Sequence, residues 1–409
     1  MSKFINKNTI VLADQAVFSG GSFLITVLLA RSFEPAEFGL YSSITLFNYA
    51  IVSLLNAVII QPLQVSLGKV EHPASYVSFN LWTQISLVSL ITFGLFVLMG
   101  FQFDFLKDFT KLGYGVLTYF TGFLLHDYFR KLFLAKADTN SAFIIDLITT
   151  FAHVSILSIV YFKHAISFET TIYYIGLCYL PACVISLVKI RPTFRNLNSW
   201  SFYLKMHISQ GSWLLLTTLT QWWSSNLFIV TTGYYFGKTA LGAFRLVQTL
   251  FGLLNLVLQT FENFVLPEAS RKLTHSQDDA KKYLLGITKK SGLLFGVILT
   301  VLFIFAKQII VLVGGEKYQD FAYIVQGMSI LYVFIFIGYP IRLSIRMLVL
   351  NSRFFAGYVF SLIFSLMTFQ FLLKEFHVNG AIIGLIASQI ITLIYWQYIL
   401  IKNKFVLWK

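Results

Sequence analysis

The chain has 409 residues, 57% of them hydrophobic and only 12% charged, with a mean hydropathy of +0.75. A soluble chain carries about 25% charge, so a soluble enzyme is excluded. Apolar blocks of about 20 residues are instead the length at which a helix crosses a bilayer. The 31 Lys and Arg against 17 Asp and Glu give a net charge of +14.

Backbone polar groups in lipid must be satisfied within their own segment, so such blocks form helices. They lack the alternation, over about ten residues, of an outer-membrane barrel strand. In chain order the blocks predict about twelve spans: 12–30, 38–60, 76–99, 112–134, 142–162 and 171–190 in the first half. The second half has 208–231, 241–261, 283–305, 321–339, 354–373 and 380–401. No connection is long enough for a separate soluble domain; the longest, 191–207 and 262–282, are polar and basic.

With the N-terminus inside, the inner segments hold 22 Lys and Arg and the outer segments 8, with Arg245 inside a span. Basic residues are retained on the cytoplasmic side, so both termini are expected there. The positive charge is a topology signal, and nothing forms the basic domain of a nucleic-acid binder. Lys3 and Lys7 precede the first span with no small-residue cleavage site after it, so that span is expected to be retained. Cys178 and Cys183 both fall in the sixth span, which gives neither a disulfide framework nor a metal pattern. No cofactor is expected.

The two halves carry matching landmarks. Phe38-Gly39-Leu40-Tyr41 follows the first span, and Leu241-Gly242-Ala243-Phe244 follows the seventh. Asn56, Pro62 and Ser66 at the end of the second span correspond to Asn263, Pro267 and Ser270 at the end of the eighth. Arg130-Lys131-Leu132-Phe133-Leu134 corresponds to Arg346-Met347-Leu348-Val349-Leu350. The same order in both halves predicts an all-α integral membrane fold of two six-helix bundles. Their expected bounds are 1–195 and 208–409, with a cytoplasmic connector at 196–207. Repeats of this kind place a substrate site at their interface and rock one bundle against the other.

Leu29-Ala30-Arg31-Ser32-Phe33-Glu34-Pro35-Ala36-Glu37-Phe38-Gly39-Leu40-Tyr41 resembles the segment joining the first two helices of polysaccharide-type flippases. Gly314-Gly315-Glu316-Lys317-Tyr318 is similar to their Gly-x-x-Tyr approach to a span, and Asn379-Gly380-Ala381-Ile382-Ile383-Gly384 to the opening of their last one. The chain thus resembles Wzx-type flippases of O-antigen or capsule repeat units, in the multidrug/oligosaccharidyl-lipid/polysaccharide exporter superfamily. The resemblance implies a MATE-like pair of bundles that moves undecaprenyl-diphosphate-linked oligosaccharide from the inner to the outer leaflet of the cytoplasmic membrane. The implied partners are that lipid-linked substrate, membrane lipids, H+ or Na+ as coupling ion, and a glycan polymerase or chain-length regulator.

The eighth span carries Arg245, Gln248, Gly252, Asn255, Gln259 and Glu262 at spacings of 3, 4, 3, 4 and 3. At 3.6 residues per turn they form one stripe, which in lipid would be costly. Such a stripe is expected to line a cavity, the alternative being hydrogen bonds to neighbouring helices. The second span offers a polar, uncharged face at Ser42, Thr45, Tyr49 and Asn56. Arg245 either snorkels to headgroups or meets an anionic substrate, since its fork suits diphosphate oxygens. For Arg31 an interfacial role leads. In the seventh span Gln221 and Asn226 flank Trp222 and Trp223, amides beside aromatic faces that suit sugars as well as they suit packing.

Asp14, Asp127, Asp146 and His153 are the candidates for ion coupling. Against that role, Asp127 and Arg130 at i,i+3 read as an ion pair, Asp14 and Asp146 as solvated span ends, and His153 as a hydrogen-bonded core histidine. Two further functions compete with the flippase. A small-molecule exporter of the same superfamily would favour a carboxylate-rich cavity. A glycan polymerase or acyltransferase would need a large outer loop or clustered acid, base and His groups, and the sequence has no such pattern.

Overall fold

In a computed structural model of the chain, residues 7–101, 103, 107–163, 166–193 and 198–407 are described. The chain divides into two compact units, Met1–Leu219 and Thr220–Lys409.

The N-terminal unit begins with α1 (Lys7–Ser32) and α2 (Pro35–Leu55), which runs through a π-turn (Asn56–Ile60) into α3 (Gln61–Ser66). Pro35 at the first turn of α2 gives up no needed donor, and the Glu34 N–H donates to Glu37 Oε2 at 3.0 Å across the corner. Next come α4 (Pro73–Gly100), a short α5 (Lys107–Leu112), α6 (Tyr114–Ala135), α7 (Thr139–Lys163), α8 (Phe168–Leu177) and α9 (Leu180–Ile190). Pro181 opens α9, so the sixth predicted span is two helices in line rather than one. α6 meets α8 through Gly122 and Gly176: a Cβ on Gly176 would lie 2.6 Å from the Tyr119 backbone nitrogen. In lipid, where the surroundings are as apolar as leucine, helix contact depends on such close backbone approach.

The remaining elements are α10 (Asn198–His275), α11 (Gln277–Ile304), α12 (Ala306–Gly314), a 3₁₀ turn (Glu316–Phe321), α13 (Ala322–Met347) and α14 (Asn351–Lys402). Two of these helices contain a break. Gly237 interrupts α10 at φ 81° and His377 interrupts α14 at φ 52°; the first is a conformation for which glycine, lacking Cβ, carries no penalty. Among the described residues nine helical segments are long and apolar enough to cross a membrane. Dividing α10 and α14 at their breaks, and adding α6 with its three charges Asp127, Arg130 and Lys131, reproduces the twelve predicted spans. The protein is a multi-pass α-helical membrane protein. Its outer surface is accordingly apolar: Phe151 is 73% exposed, Phe162 78% and Leu293 77%, a surface that only a lipid solvent tolerates.

The division into units falls at Leu219/Thr220, inside the seventh predicted span and beyond the expected connector. Of that connector, residues 196–197 lie outside the described residues, and from Asn198 onward the chain is helical. The first turns of α10 belong to the N-terminal unit because His207 is tied into it. His207 Nδ1 donates to the Val58 carbonyl at 2.8 Å, which leaves Nε2 to accept from the Tyr76 hydroxyl at 2.7 Å.

Candidate functional site

In the N-terminal unit, α1, α6 and α7 bring four ionisable groups together below the protein surface. Arg130 of α6 donates through Nε to Asp146 Oδ2 of α7 at 2.5 Å and through Nη2 to Asp14 Oδ2 of α1 at 2.7 Å. Its guanidinium also lies 4.2 Å from the ring centre of Phe18. His126, one turn earlier on α6, places Nε2 3.5 Å from Asp146 Oδ1. Asp14 and Asp146 are each only 1% exposed. Both were expected to be solvated span ends. They are buried instead, because one arginine supplies hydrogen bonds to both, and unpaired charge in such a place would be prohibitively costly. The expected Asp127–Arg130 pair is not formed. Asp127 pairs with Lys131 at 2.7 Å, and Lys131 also donates to Asn56 Oδ1 at 2.9 Å.

A small cavity of about 60 Å³ adjoins this cluster, lined by His126, Asp146, Thr149, His153, Tyr49 and Tyr179 among others. It has room for a few waters. His153 is buried and donates through Nε2 to the Ile175 carbonyl at 2.9 Å, the hydrogen-bonded core histidine of the expectation, although it also faces the cavity. Asp146, Thr149, Thr150 and His153 follow at i, i+3, i+4 and i+7, one face of α7. Sequence reasoning took Asp146 and His153 singly and missed this stripe, whose spacing is as regular as that of the eighth span. Of the polar face expected on the second span, Ser42 and Thr45 donate to carbonyls of their own helix, both at 2.8 Å. Only Tyr49 reaches the cavity.

In the C-terminal unit a larger cavity of about 260 Å³ is lined by Gln248 and Asn255 of α10 and by residues of α13 and α14. Two members of the predicted stripe therefore face a cavity. Arg245 is half-buried and donates through Nη1 to Gln248 Oε1 at 2.7 Å. Gln259 is exposed and outside the lining. Glu262 is ion-paired with Arg346 and lies 3.6 Å from Arg342. The lining also takes Ser224, Ser225 and Ile229 from the stretch of α10 before Gly237, but not Gln221 or Asn226. Asn226 bonds back to the Trp222 carbonyl at 2.9 Å, and Trp222 packs edge-on against Trp223. The structure thus separates the predicted amides from the cavity and puts serines there instead. Arg31 is half-buried in the last turn of α1. Among the described residues no cluster of His, Cys, Asp or Glu could hold a metal ion, and Cys178 and Cys183 are buried free thiols.

Twelve spans, a buried charge cluster in one unit and a cavity with polar and apolar walls in the other make up a multi-pass α-helical membrane fold. The fold is similar to that of solved transporters of the MOP superfamily. The chain superposes on the lipid II flippase MurJ with a TM-score of 0.71 at 14% identity, covering 97% of this chain and 87% of that one. It superposes on an outward-facing multidrug resistance MATE family transporter with a TM-score of 0.66 at 12% identity, covering 98% and 96%. A MOP superfamily transporter from Pyrococcus furiosus gives 0.65 at 12% identity, covering 97% and 96%. A comparison with curated protein sequences finds no match. Residues 28–323 match the profile of the family described as polysaccharide biosynthesis protein, and the chain belongs to that family.

Proposed function

We propose that the protein is a flippase that moves an undecaprenyl-diphosphate-linked oligosaccharide from the inner to the outer leaflet of a bacterial cytoplasmic membrane, supplying O-antigen, capsule or a related polysaccharide. The observation that carries this reading is the family match over residues 28–323 in a chain whose C-terminal unit encloses a polar cavity. Two six-helix halves rocking by alternating access, with both termini cytoplasmic, complete it. Arg245 and Arg31 are the candidate contacts for the lipid diphosphate, because a guanidinium fork pairs with phosphate oxygens through directed bonds.

Energy coupling is assigned to the N-terminal cluster. Two carboxylates, Asp14 and Asp146, face the one guanidinium of Arg130, a formal excess of one negative charge. A proton or monovalent cation taken up from the adjoining cavity would offset that charge, and its loss would restore it. The reading makes the protein a transporter and gives it no bond-breaking chemistry.

The test is leaflet-resolved transport of a polyprenyl-diphosphate-linked oligosaccharide by purified protein in liposomes, under imposed H+ and Na+ gradients and voltage. Protein-dependent transfer is expected. Its absence under every gradient, with folded protein present, would overturn the proposal. Transfer of small cationic drugs in its place would favour an exporter of the same superfamily.

A further inference from the structure

The orientation of one amide gives the C-terminal cavity a chemical preference. Arg245 Nη1 stands 2.7 Å from Gln248 Oε1. A guanidinium carries donors only, so the amide must present its oxygen to Arg245 and turn its NH2 group, with two N–H donors, away. Gln248 lines the cavity. Hydroxyls on the other walls are engaged in the opposite sense. Ser224 donates to Ser361 Oγ at 2.9 Å, and Thr392 to the Ser388 carbonyl at 3.0 Å. Ser365 donates to the Ser361 carbonyl at 2.8 Å, so in the 2.9 Å contact between Ser365 and Ser388 the hydrogen comes from Ser388. Hydrogens of Ser224, Ser388 and Thr392 are therefore directed at protein atoms, and their oxygens keep lone pairs. Donors for a ligand come from the amides Gln248, Asn255 and Gln389 and from the hydroxyls of Ser225 and Ser361, while Tyr332 and Tyr358 add aromatic surface with a phenolic O–H.

A phosphate only accepts hydrogen bonds, so it would leave the acceptor oxygens of Ser224, Ser388 and Thr392 unmatched. An organic cation meets no carboxylate among the lining residues. A sugar both donates and accepts through neighbouring hydroxyls and has an apolar C–H face for a tyrosine ring. We infer that this cavity is a site for sugar hydroxyls, in which Gln248 donates to the ligand and Arg245, besides its proposed contact with the diphosphate, positions the amide. The inference rests on the glycan-transport reading for the biological ligand, but the site can be probed without transport.

The experiment uses the full-length protein in nanodiscs with Ile335→Cys, a lining position, alkylated by a small neutral maleimide against the background of the buried native cysteines. Three probes are compared: hexyl β-glucoside, hexyl phosphate and hexanol. Saturable protection by the glucoside, absent with the other two, is the expected result. In the same background Gln248→Glu keeps its partner Arg245 but loses the N–H donors. It should raise the half-protecting glucoside concentration roughly fivefold or more, the factor for one lost hydrogen bond. Arg245→Met should do the same in part, and Arg245→Lys, also donor-only, should restore protection.

Equal protection by the phosphate or by hexanol would overturn the assignment. So would full glucoside protection in Gln248→Glu, or absence of protection in the parent. If neither Ile335→Cys nor Thr392→Cys is alkylated, the cavity is closed to ligands and the site is equally refuted. Protection without liposome transport would sink the flippase reading and leave the sugar site standing; transport without protection would do the reverse.

Discussion

Arg130 and Asp14 stand 116 residues apart in the sequence, and their side chains meet at 2.7 Å. Together with the 2.5 Å bond from Arg130 to Asp146, this contact fastens α1, α6 and α7 around a buried charge. Removing the cation strands two carboxylates in a medium that cannot solvate them. Arg130→Ala should therefore cost about 3–5 kcal/mol, the usual consequence of breaking a buried pair from one side. It should be read as loss of folded yield and a lowered unfolding midpoint in nanodiscs. Adding Asp14→Asn and Asp146→Asn should recover much of that loss while abolishing gradient-driven transport. Wild-type stability in Arg130→Ala would show that the cluster does not hold the helices.

A pH effect is expected at the turn between α6 and α7. Asp138 accepts from Lys189 Nζ at 2.8 Å, from the Ser141 hydroxyl at 2.8 Å and from the Ser141 N–H at 3.2 Å. Partial burial pushes its pKa up, but Lys189 and Ser141 outweigh burial and hold it below the ordinary carboxylate value. A depressed folded pKa contributes stability above the unfolded value, and that contribution disappears as pH falls through the folded value. Asp138→Asn should flatten the acid side of the stability profile below the ordinary carboxylate range and leave neutral-pH curvature unchanged. Because Lys189 is exposed and Asp138 only partly buried, the effect should be small and should shrink with added salt. Identical acid limbs in low-salt buffer would count against the contact.

Close helix approach makes Gly176 intolerant of a methyl group. Its Cβ would fall 2.6 Å from the Tyr119 nitrogen and 2.7 Å from the Thr118 carbonyl carbon, both backbone atoms. Gly176→Ala should destabilise by about 1–3 kcal/mol, as overpacking does. Gly20→Ala is the control, since nothing lies within 4 Å of the Cβ that it would add. Equal unfolding midpoints for the two variants would mean that α6 and α8 do not cross through this glycine.

Topology can be tested in intact cells with an impermeant thiol reagent. The 22-to-8 distribution of basic residues predicts the corner between α10 and α11 inside and the segment before α13 outside. Lys317→Cys should label and Ser276→Cys should be protected until the membrane is opened. The converse pattern would invert the orientation.

The spans were legible because lipid imposes one demand, twenty apolar residues with internally paired backbones, and the sequence meets it twelve times. The breaks at Gly237 and His377 fall in the intervals left between predicted spans, at 232–240 and 374–379. Of the eighth span's stripe, Gln248 and Asn255 lie on the wall of a cavity. Its outer members diverged, since Glu262 was drawn to Arg342 and Arg346 of α13, partners that spacing along one helix cannot reveal. The same limitation hid the charge cluster. Local spacing offered Asp127 to Arg130, whereas tertiary packing supplied Asp14 and Asp146, and Lys131 took Asp127. Ionisable residues on different helices find each other through the fold, and one sequence read alone carries no record of which pairs will meet.

The π-turn at Asn56–Ile60 has a geometric consequence for everything after it on α2. The Gln61 N–H reaches back to the Asn56 carbonyl, five residues away instead of four, so the helix accommodates one surplus residue without breaking. One residue is worth about 100° of rotation in an α-helix, and wide turns of this kind behave as single insertions. The face that carries Tyr49 toward the cavity is consequently out of phase with the face that carries Leu63 and Ser66 into the interior. Deleting one residue from Asn56 to Ile60 would close the wide turn into an ordinary α-helical one and leave the flanking faces in place, with Leu63 and Ser66 still buried and Val65, now 56% exposed, still outside. The wide turn takes up one residue of register between the two faces, so this helix can lose a residue there with less harm than in its regular turns, where each deletion turns everything beyond it by about 100°.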